Sequence, residues 1–250
     1  MVSPKVNVFE NNAYPVRNDV SKDDPHGYLS GGEAHYLWYF MQGSIMDPGV
    51  RQHLRDSWGL CQRHITCWLL IESAFRHDYL HGPSILMEDL ICRAQNCFSP
   101  YKIPMIIALR LRNNKPCLMC SLGYNAASKG YLMTEMLERS RDSSYFVRFI
   151  GETELYWRQF TCPRCFGDVN KGGMLCRTHL IQELYGNKYS WITEQEPFIN
   201  YLCRQLIFYA RSFRWEYRGT ETVECKGSLI SAAGWLSGWT ELINLFEKCR

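Results

Sequence analysis

Long apolar runs are missing from this chain: no window of about 18 uncharged apolar residues occurs in its 250 residues, which excludes a membrane-spanning helix. Residues 1–24 also lack the basic-then-apolar pattern of a secretory signal, so a soluble, cytoplasmic protein with no membrane partner is expected. An excess of one charge is missing too. With 28 Lys and Arg against 25 Asp and Glu, the net charge of +3 supplies no field that would gather nucleic acid or an anionic surface. There is no Gly-rich phosphate loop, Gly-x-Ser-x-Gly elbow or Walker pattern, which removes support for nucleotide-dependent chemistry and serine hydrolysis. Strand signals are few, and no coiled coil or low-complexity stretch appears.

What is present is cysteine, 12 residues of it, in a telling arrangement. Two Cys-x-x-Cys doublets (Cys117/Cys120 and Cys162/Cys165) stand beside two Cys-x-x-His doublets (Cys61/His64 and Cys176/His179). A separation of two residues lets one tight turn, or the first turn of a helix, aim both donors at one centre, as a tetrahedral zinc ion requires. Cys162-Pro163-Arg164-Cys165 is followed after ten residues by Cys176-Arg177-Thr178-His179, with Gly167, Gly172 and Gly173 in the loop between, and this is the clearest site. Cys61, His64, Cys117 and Cys120 complete a second Cys3His set across a long excursion. The exchanged pairing, Cys117/Cys120 with Cys176/His179, is compatible with the same spacings, and Cys61 and His64 can also be read as a buried thiol and a capping imidazole. Two zinc ions are expected, with an iron–sulfur cluster as the alternative use of six paired thiols. The unpaired Cys67, Cys92, Cys97, Cys203, Cys225 and Cys249 lie in apolar helical patterns and read as small buried hydrophobes.

The apolar periodicity reads as mainly α: a bundle-like helical domain stapled by its Cys/His sites. Residues 1–32 form an irregular arm, 33–112 a first helical module, 113–188 a second module carrying a Cys/His metal site, and 189–250 a C-terminal helical pair. Asp47-Pro48 marks a helix start and Gly59 a stop. Met105 to Leu109 reads as strand or buried helix. Ala126–Arg139 and Tyr145–Phe160 read as a helical hairpin, Thr193-x-x-Glu196 as a capping box ahead of a long amphipathic helix, and Leu229–Phe246 as one last helix. Gly59-Leu60-Cys61-Gln62-Arg63-His64 matches Met174-Leu175-Cys176-Arg177-Thr178-His179 closely enough to suggest two degenerate copies of one module.

Asp47-Pro48-x-x-Arg51, Leu54-Arg55-x-Ser57, Gly59-Leu60-Cys61-x-Arg63-His64, Ile85-Leu86-x-Glu88-Asp89-Leu90, Cys117-x-x-Cys120 and Leu175-Cys176-x-x-His179 together resemble a bacterial family of unknown function built from repeated Cys-Pro-x-Cys and Gly-Phe/Leu-Cys-x-x-His modules. The resemblance covers roughly residues 33 to 245. It implies a shared modular architecture with zinc and supplies no activity. This chain departs from the pattern twice: the first module lacks its Cys-x-x-Cys, and the doublet Cys162/Cys165 is added in the second.

The function expected is that of a zinc-binding component that docks a protein partner, without assigned catalytic residues. One alternative is a metalloenzyme in which His26, Glu33, His35, Cys61 and His64 hold an ion with an open position. His77, His81, Glu88 and Asp89 offer a second, weaker metal face. A further alternative is a zinc-stabilised nucleic-acid binder that uses Arg211, Arg214 and Arg218 with the interleaved Phe213, Trp215 and Tyr217.

Overall fold

The computed structural model describes residues 28–76, 79–98, 102–168, 173–186 and 190–249. Among them there is no strand. The helices, in chain order, are α1 (Gly31–Gln42), α2 (Pro48–Asp56), α3 (Gln62–Arg76), α4 (His81–Phe98), α5 (Pro104–Leu111), α6 (Leu118–Ser121), α7 (Thr134–Arg141), α8 (Ser144–Glu152), α9 (Glu154–Trp157), α10 (Arg177–Tyr185), α11 (Ser190–Ser212), α12 (Val223–Ser237) and α13 (Thr240–Cys249), with short 3₁₀ turns between some of them. No described helix is long and apolar enough to cross a membrane.

Local chemistry fixes several of the starts. Asp47 accepts from the Val50 amide at 2.9 Å with Pro48 in the first helical position, as the sequence predicts for α2. Ser30 and Glu33 form a reciprocal capping box that opens α1, and Thr222 caps α12. Met105 to Leu109 is helical: Pro104 leads α5, and its apolar residues Ile107, Ala108 and Leu111 turn inward.

The core is continuous across the expected modules, and Trp58, Trp68, Trp157, Trp235 and Trp239 are its largest fully buried side chains. Two helices run through its middle. α3 packs against α1, α7, α8, α12 and α13, and α12 packs against α3, α4, α8, α9, α10 and α11. α12 can be buried nearly all round because its surface is small: a Cβ on Gly227 would come 2.8 Å from Tyr156, and one on Gly234 would come 2.3 Å from the Trp239 ring.

Four expectations need correction. The residues expected to open a helix at Ala126 instead form an irregular crossing, and α7 starts only at Thr134. The backbone of this segment must pass over the start of α1, where Gly32 donates to the Ser128 carbonyl at 2.8 Å and a Cβ on Gly130 would overlap Gly31. Tyr145–Phe160 breaks at Thr153, whose hydroxyl donates back to the Phe149 carbonyl, giving α8, α9 and a 3₁₀ turn. α11 begins at Ser190, ahead of the Thr193 box, and carries Pro197 inside it. Leu229–Phe246 is two helices with a corner at Gly238, held at φ 106°, while the C-terminal arm of the pattern continues in α13.

Cys92 on α4 and Cys203 on α11 form a disulfide, joining the most extensive helix–helix contact among the described residues. That corrects their reading as isolated hydrophobes. Cys67, Cys97 and Cys225 are buried free thiols and Cys249 a half-buried one.

Candidate metal centre

All four doublets sit at helix starts, where the first backbone N–H groups point outward and favour thiolate. Cys117 precedes α6 and Cys162 precedes the 3₁₀ turn Pro163–Phe166 as their cap residues. Cys61 accepts the Ile65 amide at 2.9 Å and Cys176 the Leu180 amide at 2.8 Å, so α3 and α10 open in the same way, with the cysteine at the cap and the histidine three residues on. Each returning turn closes on a glycine at positive φ, Gly123 at 86° and Gly167 at 81°.

The doublets converge as two four-donor groups, Cys61/His64/Cys117/Cys120 and Cys162/Cys165/Cys176/His179, with all donor atoms of a group within 4.8 Å of one another. The exchanged pairing does not occur. In the first group His64 Nδ1 lies 3.2 Å from Cys61 Sγ and 3.4 Å from both Cys117 Sγ and Cys120 Sγ, and Cys61 and Cys120 are 3.8 Å apart. In the second, His179 Nδ1 lies 3.2 Å from Cys176 Sγ, 3.3 Å from Cys162 Sγ and 3.7 Å from Cys165 Sγ, and Cys165 and Cys176 are 3.7 Å apart. Bonds of about 2.3 Å to sulfur and about 2.0–2.1 Å to nitrogen give a tetrahedron with edges of about 3.8 and 3.6 Å. The donor sets fit such an ion.

Three thiols around one imidazole do not ionise independently. In the first group the hydrogen bond with Cys61 pulls the Cys117 thiol down to about 3, with His64 adding to it against the effect of burial, while the same bond pushes Cys61 far above its ordinary value. In the second, the bonds from Cys165 and Cys176 pull Cys162 down, and Cys162 in turn pushes Cys165 up to about 11 and Cys176 higher still. A dication at either group would be held by the deprotonated thiols, so its binding would release the remaining protons.

Behind the first group stands Glu33, fully buried on α1. Its carboxylate accepts Arg63 Nε at 2.7 Å, Arg63 Nη2 at 2.9 Å and the Ser30 amide at 2.9 Å. Oε1 also lies 3.3 Å from Nε2 of His64, an ion-pair distance at which the ring N–H is not aligned for a good hydrogen bond. Burial pushes this carboxyl up, but the His64, Arg63 and Ser30 contacts win and hold it at about 2. His64 is in turn raised to about 9: burial opposes the imidazolium, while Cys117 and Glu33 favour it. A carboxylate charge beside the far nitrogen favours the ring orientation in which Nδ1 faces the thiols. Glu33 therefore orients a donor and is not one. The sequence carried a hint in Ser30-x-x-Glu33, the capping box that holds the carboxylate.

His35 belongs to neither group: its ring packs against Tyr39 and Tyr131. His26 and His77 lie outside the described residues. His81 opens α4 against Tyr79 and Phe213, and Asp89 pairs with Arg51 and Arg55, so the second metal face does not assemble among the described residues. Near the C-terminal end of α11, Arg211 is stacked over Tyr217 and bonded to its hydroxyl, leaving Trp215 exposed between Arg214 and Arg218.

The corner between α12 and α13 lies between the two groups. Thr240 donates to the Cys165 carbonyl at 3.1 Å, and Glu241 accepts from Tyr28, whose carbonyl in turn takes Arg63 Nη2 at 2.6 Å. Arg177, buried beside Cys176, donates to the Leu111 and Leu236 carbonyls at the ends of α5 and α12, and desolvation lowers it to about 10. A cleft of about 590 Å³, lined by Cys61, Gln62, Arg63, Arg177, Thr178 and Thr240 among others, opens between the groups.

No protein-family model, no curated protein and no solved structure matches this chain.

Proposed function

We propose that the chain is a two-zinc helical protein in which the metals are structural, and that it serves as a non-enzymatic binding or assembly component for a protein partner. One observation carries the metal reading: each group supplies four protein donors at the corners of a single tetrahedron, leaving an ion no position for substrate or water. Three thiolates and an imidazole suit zinc and not a hard oxygen-seeking cation. A multi-iron cluster would hold its ligands apart around several metal and sulfide atoms, whereas these donors crowd one point. The metalloenzyme alternative loses ground because Glu33 and His35 stand outside the donor set. The likeness to the Cys-x-x-His module family belongs to the same reading.

The partner side rests on the segment between α6 and α7, which Cys117 and Cys120 anchor at one end. It exposes Leu122, Tyr131 and Met133 to solvent, Tyr131 by 75%. Apolar side chains held outward by a metal-braced backbone are suited to docking.

Metal analysis of protein purified without oxygen tests the first part. About two zinc ions per chain and no visible absorbance are expected, with Cys120→Ser and Cys165→Ser each removing one. Iron absorbance or a single ion per chain overturns it. For the second part, a photo-crosslinking residue at position 131 should yield one discrete protein adduct in cells. No adduct, or the same adducts from exposed position 194, overturns the partner reading.

A further inference from the structure

A cavity of about 280 Å³ lies away from both metal groups, where the end of α1 meets α2, α3 and the start of α4. Met41, Ile45, Met46 and Ile85 give it an apolar wall. Two of its lining side chains carry a buried N–H with no acceptor among the described residues, Trp68 Nε1 and Arg51 Nη1. Trp68 is 0% exposed, so bulk water does not answer its indole. Four other indoles differ: Trp58 and Trp157 donate to backbone carbonyls, Trp191 to the Glu183 carboxylate and Trp235 to the Gln195 amide oxygen. Buried donors in native proteins are paired, and an exception in a cavity wall points to what fills the cavity.

The side of the Trp68 indole next to Nε1 lies toward Gly82, which lines the cavity with it. Its Cζ2, next to the carbon bonded to Nε1, lies 3.2 Å from the point where a Cβ on the cavity-lining Gly82 would sit, and both Glu72 carboxylate oxygens lie 2.9 and 3.1 Å from that point. The neighbouring Glu72 carboxylate, which accepts the Gly82 amide at 2.9 Å, lines the same wall. An anionic head at Trp68 would crowd Glu72, and a cationic head would present donors to donors beside Arg51, whose other nitrogen already pairs with Asp89 at 3.3 Å. A volume near the lower end of small-molecule sites limits its size.

We propose that this cavity binds a small, mainly apolar molecule bearing a neutral carbonyl-type acceptor, such as a primary amide, which takes the N–H groups of Trp68 and Arg51.

The test uses the full metal-loaded chain labelled at its indole nitrogens, with the Trp68 resonance assigned by its loss in Trp68→Phe. Hexanamide, hexanoate and hexylammonium are the probes. Hexanamide should move the Trp68 indole signal saturably at millimolar concentration or below, with the two charged probes at least tenfold weaker. By calorimetry, Trp68→Phe and Arg51→Met should each weaken hexanamide about tenfold, the loss expected for one hydrogen bond. Unchanged metal content and helicity identify variants that have kept the fold, and either one suffices. No saturable shift, equal shifts at all indoles, hexanoate binding as tightly as hexanamide, or unchanged hexanamide affinity in a folded variant overturns the proposal. A cavity that holds only water gives the first of these results.

Discussion

Glu33 illustrates how one side chain can matter to a donor group it does not join. It ties the start of α1 to Arg63 and lies against the far nitrogen of His64, so replacing it acts on the donor through its orientation and basicity. Glu33→Gln keeps the volume and removes the charge. We expect the affinity of the first metal group to fall about 10- to 100-fold with the second unchanged, as read by competition with a chromophoric chelator. Equal losses at both groups would mean that the substitution damages the fold instead. The ligands themselves were legible in the sequence because each doublet is local: Cys61 and His64 are neighbours on one helical turn whatever the rest of the chain does. Glu33 was legible only as a carboxylate near histidines, since its distance to His64 is made by the packing of α1 on α3. Arg177 was less legible still. Nothing linear says that this arginine is buried against the ends of α5 and α12.

At the scale of elements, periodicity found helices well and their ends poorly. Trp235, Trp239, Leu242 and Phe246 keep an apolar stripe through the corner at Gly238, because the corner folds Trp239 back over Gly234 and leaves the same residues in the core. Periodicity therefore ran across a break that the glycine alone marked. The same close contact sets up a test in which local and tertiary effects oppose each other. By helix propensity, Gly234→Ala should stabilise α12 by up to about 1 kcal/mol. With the new Cβ 2.3 Å from the Trp239 ring, the protein should instead lose roughly 1–3 kcal/mol, lowering its melting temperature by several degrees. A rise would show that the two helices separate easily. The crossing at 126–133 departs from the expected helix for a related reason. Its residues tolerate a helix, but Gly130 is needed where two backbones meet, and no pattern within one segment reveals what passes over it.

Across the whole molecule, the disulfide and the first donor group bring together segments far apart in sequence, whereas the second donor group lies within residues 162–179. The disulfide spans 111 residues, and the chain-entropy cost of a loop of that order is about 4–5 kcal/mol in the unfolded state. Cys92→Ser should lower the stability of the oxidised protein by about 2–5 kcal/mol and leave the reduced protein little changed, measured by denaturant unfolding with and without reductant. Which cysteines pair was beyond the sequence, because α4 and α11 become neighbours only in the fold. The two metal groups differ in access: Cys120 is exposed, whereas Cys162 and Cys176 are buried. Chelation should accordingly release one ion quickly and the other slowly, with Cys120 reacting with a thiol reagent in the first phase and helicity around α10 lost in the second; a single phase would argue that the α12–α13 corner locks the groups together. The coexistence of bonded and unbonded cysteines also bears on how the chain is made. Six of its thiols lie in the two donor groups while Cys92 and Cys203 are joined, so on the zinc reading proposed above an ion on the six would act as a protecting group that narrows the choices open to an oxidant. Refolded from the reduced state under air, the chain should form the single Cys92–Cys203 bond when zinc is present and a scrambled mixture when a chelator replaces it. The order of events, metal first and oxidation second, would then be part of the information needed to reach this fold.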